Sequence, residues 1–158
     1  MKDIELTQGK VALVDDEDYE YLKQSKWYAH NQRDGECYAM GGRGKIYMHR
    51  LIMGTPKGMY TDHINGNGLD NRKENLRVCT NAQNLMNRPK SKINTTGYKG
   101  VTISKYRDRI NTYIRAQINI NGKNKFLGFH KTPELAAKAY NKAAIKYHGE
   151  FAQLNEIC

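Results

Sequence analysis

Tyr60-Thr61-Asp62-His63-Ile64-Asn65-Gly66-Asn67-Gly68-Leu69-Asp70-Asn71-Arg72-Lys73-Glu74-Asn75-Leu76-Arg77-Val78-Cys79-Thr80-Asn81-Ala82-Gln83-Asn84 is the stretch on which the reading of this chain turns. A short strand ends in Asp62-His63 and a loop rich in Gly, Asn and Asp follows. Asn75 to Val78 returns as a second strand, and Thr80 or Asn81 caps a helix that carries Asn84. The order strand, strand, helix is a ββα unit, which brings a carboxylate and an amide carbonyl toward one point. Hard oxygen donors of that kind suit Mg²⁺ or Mn²⁺ and leave positions for phosphate oxygens and water, so Asp62 and Asn84 are the expected ligand pair. A neutral imidazole near pH 7 can take the proton of an attacking water, which makes His63 the expected general base. Neighbouring strand residues point to opposite faces, so Asp62 and His63 serve one reaction only if the strand ends or twists there, as Gly66 and Gly68 allow. Asn75 is expected to bridge the loop with its amide and to hold the His63 backbone or ring.

With Met48-His49-Arg50-Leu51-Ile52 ahead of it, this segment resembles the HNH endonucleases of phages and mobile introns. The Asp-His pair, an Asn twelve positions after the His and a helical Asn nine further on carry the resemblance. It implies a metal-dependent endonuclease that hydrolyses phosphodiester bonds in duplex DNA with Mg²⁺ or Mn²⁺. In that scheme His63 is the base, Asn75 the middle Asn, and Asp62 with Asn84 the metal ligands. Where many relatives have His at the third motif position, this chain has Gln83-Asn84. Arg50 is expected to touch phosphate, or else to pair with a nearby acid.

Upstream, residues 10–14, 26–30, 37–40 and 45–48 read as short strands of a small β scaffold. Asp15-Asp16-Glu17-Asp18 reads as the first turn of a short helix, where carboxylates offset the helix dipole, rather than as a metal cluster. Gly41-Gly42-Arg43-Gly44-Lys45 lacks phosphate-loop spacing and reads as a hairpin turn.

Downstream, the polar, basic stretch 86–97 has the composition of a linker, with Lys92 available to follow a DNA backbone. Beyond it, Tyr113-Ile114-Arg115-Ala116-Gln117-Ile118-Asn119-Ile120 alternates strictly, Asn121-Gly122 turns, and Lys123 to Phe129 returns. Ile114, Ala116, Ile118 and Ile120 share one face, and Tyr113, Arg115, Gln117 and Asn119 the other. Thr132 caps a helix that starts at Pro133 and stops near Gly149, with a stripe of Leu135, Ala136, Ala139, Tyr140, Ala143, Ala144 and Tyr147. Three strands covered by one helix leave Tyr113, Arg115 and Gln117 on an open face suited to a DNA groove, with Lys125 counted among the contacts. Through GYKGV, YIRAQI, FLGFHKTPELAAKAY and the closing His148-Gly149 to Leu154-Asn155, residues 97–155 resemble the ethylene-response-factor (APETALA-type) DNA-binding domain. Thr102 and Ser104 stand where plant relatives often carry Arg, so base preference is expected to differ.

The expected architecture is therefore α+β: a β-rich ββα-metal nuclease over 1–88, a basic linker over 89–96, and a three-stranded antiparallel sheet packed on one helix over 97–158. Charge supports a polyanionic partner. Lys plus Arg number 26 against 16 Asp plus Glu, and residues 91–158 carry 12 basic and 4 acidic side chains against 14 and 12 in residues 1–90. Three scattered cysteines write no disulfide framework or zinc knuckle, and no membrane span or leader is legible, so a cytoplasmic, intracellular protein of phage or mobile-element origin is expected. Double-stranded DNA is the expected partner, with no membrane, no obligate protein partner and a monomeric state. The competing class is a non-catalytic sequence-specific DNA-binding regulator; Asp62, His63, Asn75 and Asn84 occurring together favour the enzyme.

Overall fold

A computed structural model describes residues 1–32, 35–41, 46–105 and 112–157, the side chain of Lys105 excepted. The turn expected over 41–45 lies outside the described residues beyond Gly41, as do Arg107, Arg109 and Cys158. The chain divides into two compact units, Met1–Asn84 and Leu85–Cys158.

In the first unit, β1 (Lys2–Glu5) pairs antiparallel with β2 (Val11–Val14). Helix α1 (Asp16–Leu22) follows with Asp16, Glu17 and Asp18 in its first turn. Strands β3 (Trp27–Asn31), β4 (Cys37–Gly41) and β5 (Ile46–Tyr47) form an antiparallel sheet in that order. The strand expected over 45–48 is shorter: Met48 already opens α2 (Met48–Ile52), whose Met48 side chain is fully buried. Strand β1 was not anticipated, because only Ile4 of its four residues turns inward. Ile4, Ala12, Val14, Leu22, Trp27 and Met48 form the core, and the indole N–H of Trp27 donates to Leu22 O at 2.8 Å.

On this scaffold sits the hairpin β6 (Tyr60–His63) and β7 (Leu76–Cys79), followed by α3 (Asn81–Asn87). Asn75 belongs to a single 3-10 turn, Lys73–Asn75, rather than to the returning strand. The loop between β6 and β7 is tied to the scaffold. Leu13 N–H donates to Leu69 O and Asn71 N–H to Leu13 O, both at 2.8 Å, and Lys73 N–H donates to Asp15 Oδ2 at 2.8 Å. Thus the acidic run begins a helix and also holds the loop. Gly68 permits the loop's approach, since a Cβ there would stand 2.5 Å from Cys37 O.

In the second unit, β8 (Val101–Lys105), β9 (Thr112–Ile120) and β10 (Lys123–His130) form an antiparallel sheet with β9 central. Helix α4 (Pro133–His148) packs Ala136, Ala137, Tyr140 and Ala144 on the face of Ala116 and Ile118. The Thr132 hydroxyl accepts from Leu135 N–H, and Gly149 ends the helix at φ 56°. Leu135, expected in the apolar stripe, is 45 % exposed, and Ala137 takes the buried position. The strand expected from Gly97 begins only at Val101; Gly100, at φ 75°, has no room for a Cβ, which would lie 2.0 Å from the Tyr140 ring. The stretch expected as an open linker is folded at its end, where Asn94 Oδ1 accepts from the N–H groups of Thr96 and Gly97 and Asn94 Nδ2 donates to Tyr98 O.

Candidate active site

His63 ends β6 and is buried, 5 % exposed. Its ring lies in a cage of side chains from three other segments. The His49 ring of α2 stands nearly perpendicular to it at 4.9 Å between centroids, Tyr38 of β4 lies at 5.7 Å, and Asn71 Oδ1 lies 3.3 Å from Nε2. Burial pushes the His63 pKa below the ordinary histidine value, although the Asn71 hydrogen bond and the carboxylates of Asp62, Asp70 and Glu36 pull the other way. His49 is pushed down further, to about 3, by burial and then by the charges of His63 and Arg50. Both rings are therefore neutral at pH 7, the form a proton acceptor needs.

Asp62 faces a different neighbourhood, as alternation along the strand requires. Directly across the hairpin, Arg77 Nε and Nη2 both donate to Asp62 Oδ2, at 2.9 and 2.7 Å. Beside them the Cys79 thiol is pushed up to about 11 by burial and then by the Asp62 charge, while the Asn84 backbone bonds the same thiol. Asn84 of α3 thus meets Cys79 through its backbone. Asn75 Oδ1 accepts from Asn65 N–H at 3.0 Å and its Nδ2 donates to Asp70 O at 2.8 Å, while Ile64 N–H donates to Asn75 O at 2.9 Å. Asn75 therefore spans the loop and braces the residue after His63, and the ring's partner is Asn71 instead. Asp70 is held by the Arg72 fork, at 2.8 and 2.7 Å, and by Asn65, and Arg72 lowers its pKa. Arg50 Nη1 donates to Met59 O at 2.9 Å, fixing the chain as it enters β6, and among the described residues no acid pairs with its fork.

A family model described as HNH endonuclease matches residues 47–86, which take in α2, the hairpin and most of α3. An uncharacterized HNH endonuclease of Acanthamoeba polyphaga mimivirus is 30 % identical over 156 residues, 95 % of this chain and 77 % of that protein. The chain belongs to the HNH endonuclease family. As an HNH endonuclease it is a nuclease, and its match to the mimivirus protein runs through both units. Protein 3.8 of Escherichia phage T7 is 35 % identical over 98 residues, 62 % of this chain and 77 % of that protein. No solved structure matches the chain.

HNH nucleases generally use a divalent metal. Among the described residues of this one no three His, Cys, Asp or Glu side chains cluster as a metal set. A carboxylate and an amide oxygen, the donors that Asp62 and Asn84 carry, are of the hard kind that a divalent ion takes alongside water and phosphate. Tyr38, Asn71 and Arg77 are site neighbours to which the sequence assigns no role, and His49 enters there only within the Met48–Ile52 stretch that precedes the motif. Arg77 alone was legible, since pairing His63 with Leu76 sets it opposite Asp62.

In the C-terminal unit of the HNH endonuclease, Tyr113, Arg115 and Gln117 do share the sheet face away from α4. Two aromatic residues join them. Phe126 lies opposite Gln117 and Phe129 opposite Arg115, because a bulge between Phe126 and Gly128 keeps both on one face. The Arg115 guanidinium lies 5.4 Å from the Phe126 ring centroid, and its buried Nε has no hydrogen-bond partner among the described residues. Lys125 is not on that face. It pairs with Ile118 and donates to Tyr147 OH of α4 at 2.7 Å, which removes it from the contacts expected beside Arg115. Lys92 is exposed.

Proposed function

We propose that this HNH endonuclease hydrolyses phosphodiester bonds of duplex DNA with Mg²⁺ or Mn²⁺, and that its C-terminal unit directs it to DNA. The observation that carries the reading is a buried imidazole at the end of β6, its pKa lowered by burial, one residue after a buried carboxylate inside a ββα unit. His63 takes the proton of a water attacking the scissile phosphate. Asp62 and Asn84 would hold the divalent metal, which when bound would supply positive charge to the phosphate and its leaving oxygen. Asn75 keeps the loop closed through Asn65 and Asp70, and Asn71 and His49 enclose the His63 ring and keep bulk water off it. Arg50, bound to Met59 O, keeps a charged fork beside the entry to β6 within reach of phosphate.

The second unit carries four more features in favour of DNA. Its charge is strongly basic, its sheet is antiparallel with one helix behind, Arg115 and Gln117 stand on the uncovered face, and Tyr113, Phe126 and Phe129 surround them. This is the arrangement that the likeness to the APETALA-type domain implies. Lys92, ahead of it, contributes sequence-independent attraction to phosphate. One catalytic centre per chain makes a nick the product of a single monomer. The reading is tested by incubating the full chain with supercoiled plasmid in Mg²⁺, in Mn²⁺ and in chelator. Open circles that appear with metal and not with chelator are the expected result; intact supercoils under all three conditions refute the reading.

A further inference from the structure

The uncovered face of the second sheet carries almost no charge, although the unit around it is strongly basic. Register sets Thr102 beside Arg115 and Ser104 beside Tyr113 on that face, and Arg115 is the one charged side chain that the three strands turn to it among the described residues. Lys123 and Lys125 of β10 pair with Ile120 and Ile118 and so belong to the α4 side. What the face offers instead is aromatic. Phe126 is 48 % and Phe129 60 % exposed, and neither joins the apolar clusters under α4. The Phe126 and Phe129 centroids lie 5.0 Å apart with the rings inclined at 64°, and Tyr113 meets Phe129 at 5.4 Å and 50°. Large apolar side chains that touch one another in the open mark a binding surface.

A polyanion drawn by the charge of the unit must present an uncharged part of itself to this face. In duplex DNA that part is the row of base edges in the major groove, where thymine alone adds an apolar group, its 5-methyl. Rings inclined to one another as these are offer no parallel planes for successive unstacked bases, which a single-strand platform requires. We infer that Phe126 and Phe129 are specificity-determining residues that contact thymine 5-methyl groups beside the base read by Arg115. The inference rests on the reading that the C-terminal unit directs the nuclease to duplex DNA, and it names the base that the aromatic strip selects. The Phe126 and Phe129 centroids are further apart than the roughly 3.4 Å step between base pairs, so the two rings can meet methyls of different pairs. Arg115, with its guanidinium over the Phe126 ring, stands in the same strip and supplies the hydrogen-bonding contact that the phenyl groups lack.

The experiment uses the full chain in chelator, so that bound duplex stays whole. Duplexes are enriched from a randomised library and then resynthesised with deoxyuridine in place of thymidine, which keeps every base pair and removes only the 5-methyl groups. Enriched sites should contain thymine, and its replacement should weaken binding by about fourfold for each methyl buried. Phe126→Ala and Phe129→Ala should each lower the ratio of the two affinities, and the double variant should bring it near one. Phe126→Leu, which keeps an apolar side chain, should retain most of it. Enriched sites without thymine, equal affinity of the unaltered chain for the two duplexes, or a ratio that the double variant leaves unchanged overturns the proposal while DNA targeting stands. Tighter binding to the single strand than to the duplex also overturns it, because the rings would then be stacking on bases. Failure to bind any duplex at low salt refutes the targeting reading itself, and the proposal falls with it.

Discussion

Asp62 and Arg77 face each other across the β6–β7 hairpin, where Arg77 Nε and Nη2 donate to the same carboxylate oxygen, Oδ2. The pair is largely buried, with side-chain exposures of 6 % for Asp62 and 13 % for Arg77. Removing one member of such a pair leaves an uncompensated charge, which typically costs about 3–5 kcal/mol. Arg77→Met should therefore lower the stability of the metal-free protein by about that amount in denaturant unfolding, and Mg²⁺ should restore part of it by supplying a cation to Asp62. A loss near zero would mean that the pair does not hold the hairpin.

Metal dependence follows from the same carboxylate. Asp62→Ala and Asn84→Ala should each abolish nicking in Mg²⁺, whereas Asn84→Asp, which keeps an oxygen donor, should retain part of it. The check is plasmid nicking across a metal titration, and normal cutting by both alanine variants would move the metal site elsewhere.

Acid should weaken the fold through His49. Its pKa is about 3 in the folded chain against an ordinary 6.5, so between those values the unfolded chain binds a proton that the folded chain refuses. The stabilisation is fully present above pH 6.5 and is lost as pH falls toward 3, at up to about 1.4 kcal/mol per pH unit. His63, also lowered, adds to the same slope. Unfolding measured at pH 7 and pH 5 should show a smaller difference in His49→Phe than in the unaltered protein; an equal difference would place the acid sensitivity in other groups.

The plan of the nuclease unit was legible because hairpin, loop and cap are local: Asp62-His63 ends a strand, the Gly and Asn residues turn, and Thr80 precedes the helix. What surrounds His63 was not, because Tyr38, His49 and Asn71 reach it through contacts made far along the chain, and no period of two or 3.6 announces them. The second sheet teaches the same lesson in reverse. The Asn121-Gly122 turn already pairs Lys125 with Ile118, so its place on the covered face was readable from register. Phe126 and Phe129, three apart, would fall on opposite faces of a regular strand, and only the bulge at Leu127 brings them together.

On DNA the two kinds of basic residue should behave differently. Arg115→Ala should cost on the order of 1–3 kcal/mol at preferred sites and relax preference at one base position. Lys92→Ala should weaken binding to all sequences alike and reduce the slope of log affinity against log salt by about one. Lys125→Ala, whose ammonium is engaged with Tyr147, should leave base preference unchanged. Binding to a randomised duplex library at several salt concentrations separates the three, and a uniform loss in Arg115→Ala would reduce the sheet to a backbone clamp.

The central claim is that His63 performs the chemistry and does not merely build the site. The most direct measurement compares His63→Ala with the unaltered chain for plasmid nicking in Mg²⁺ and for duplex affinity in the same buffer. A general base acts on the transition state and hardly on the bound ground state, so nicking should fall by roughly 10²–10⁴ while affinity stays within about twofold. Parallel loss of affinity and nicking, or nicking that survives the substitution, would contradict the account.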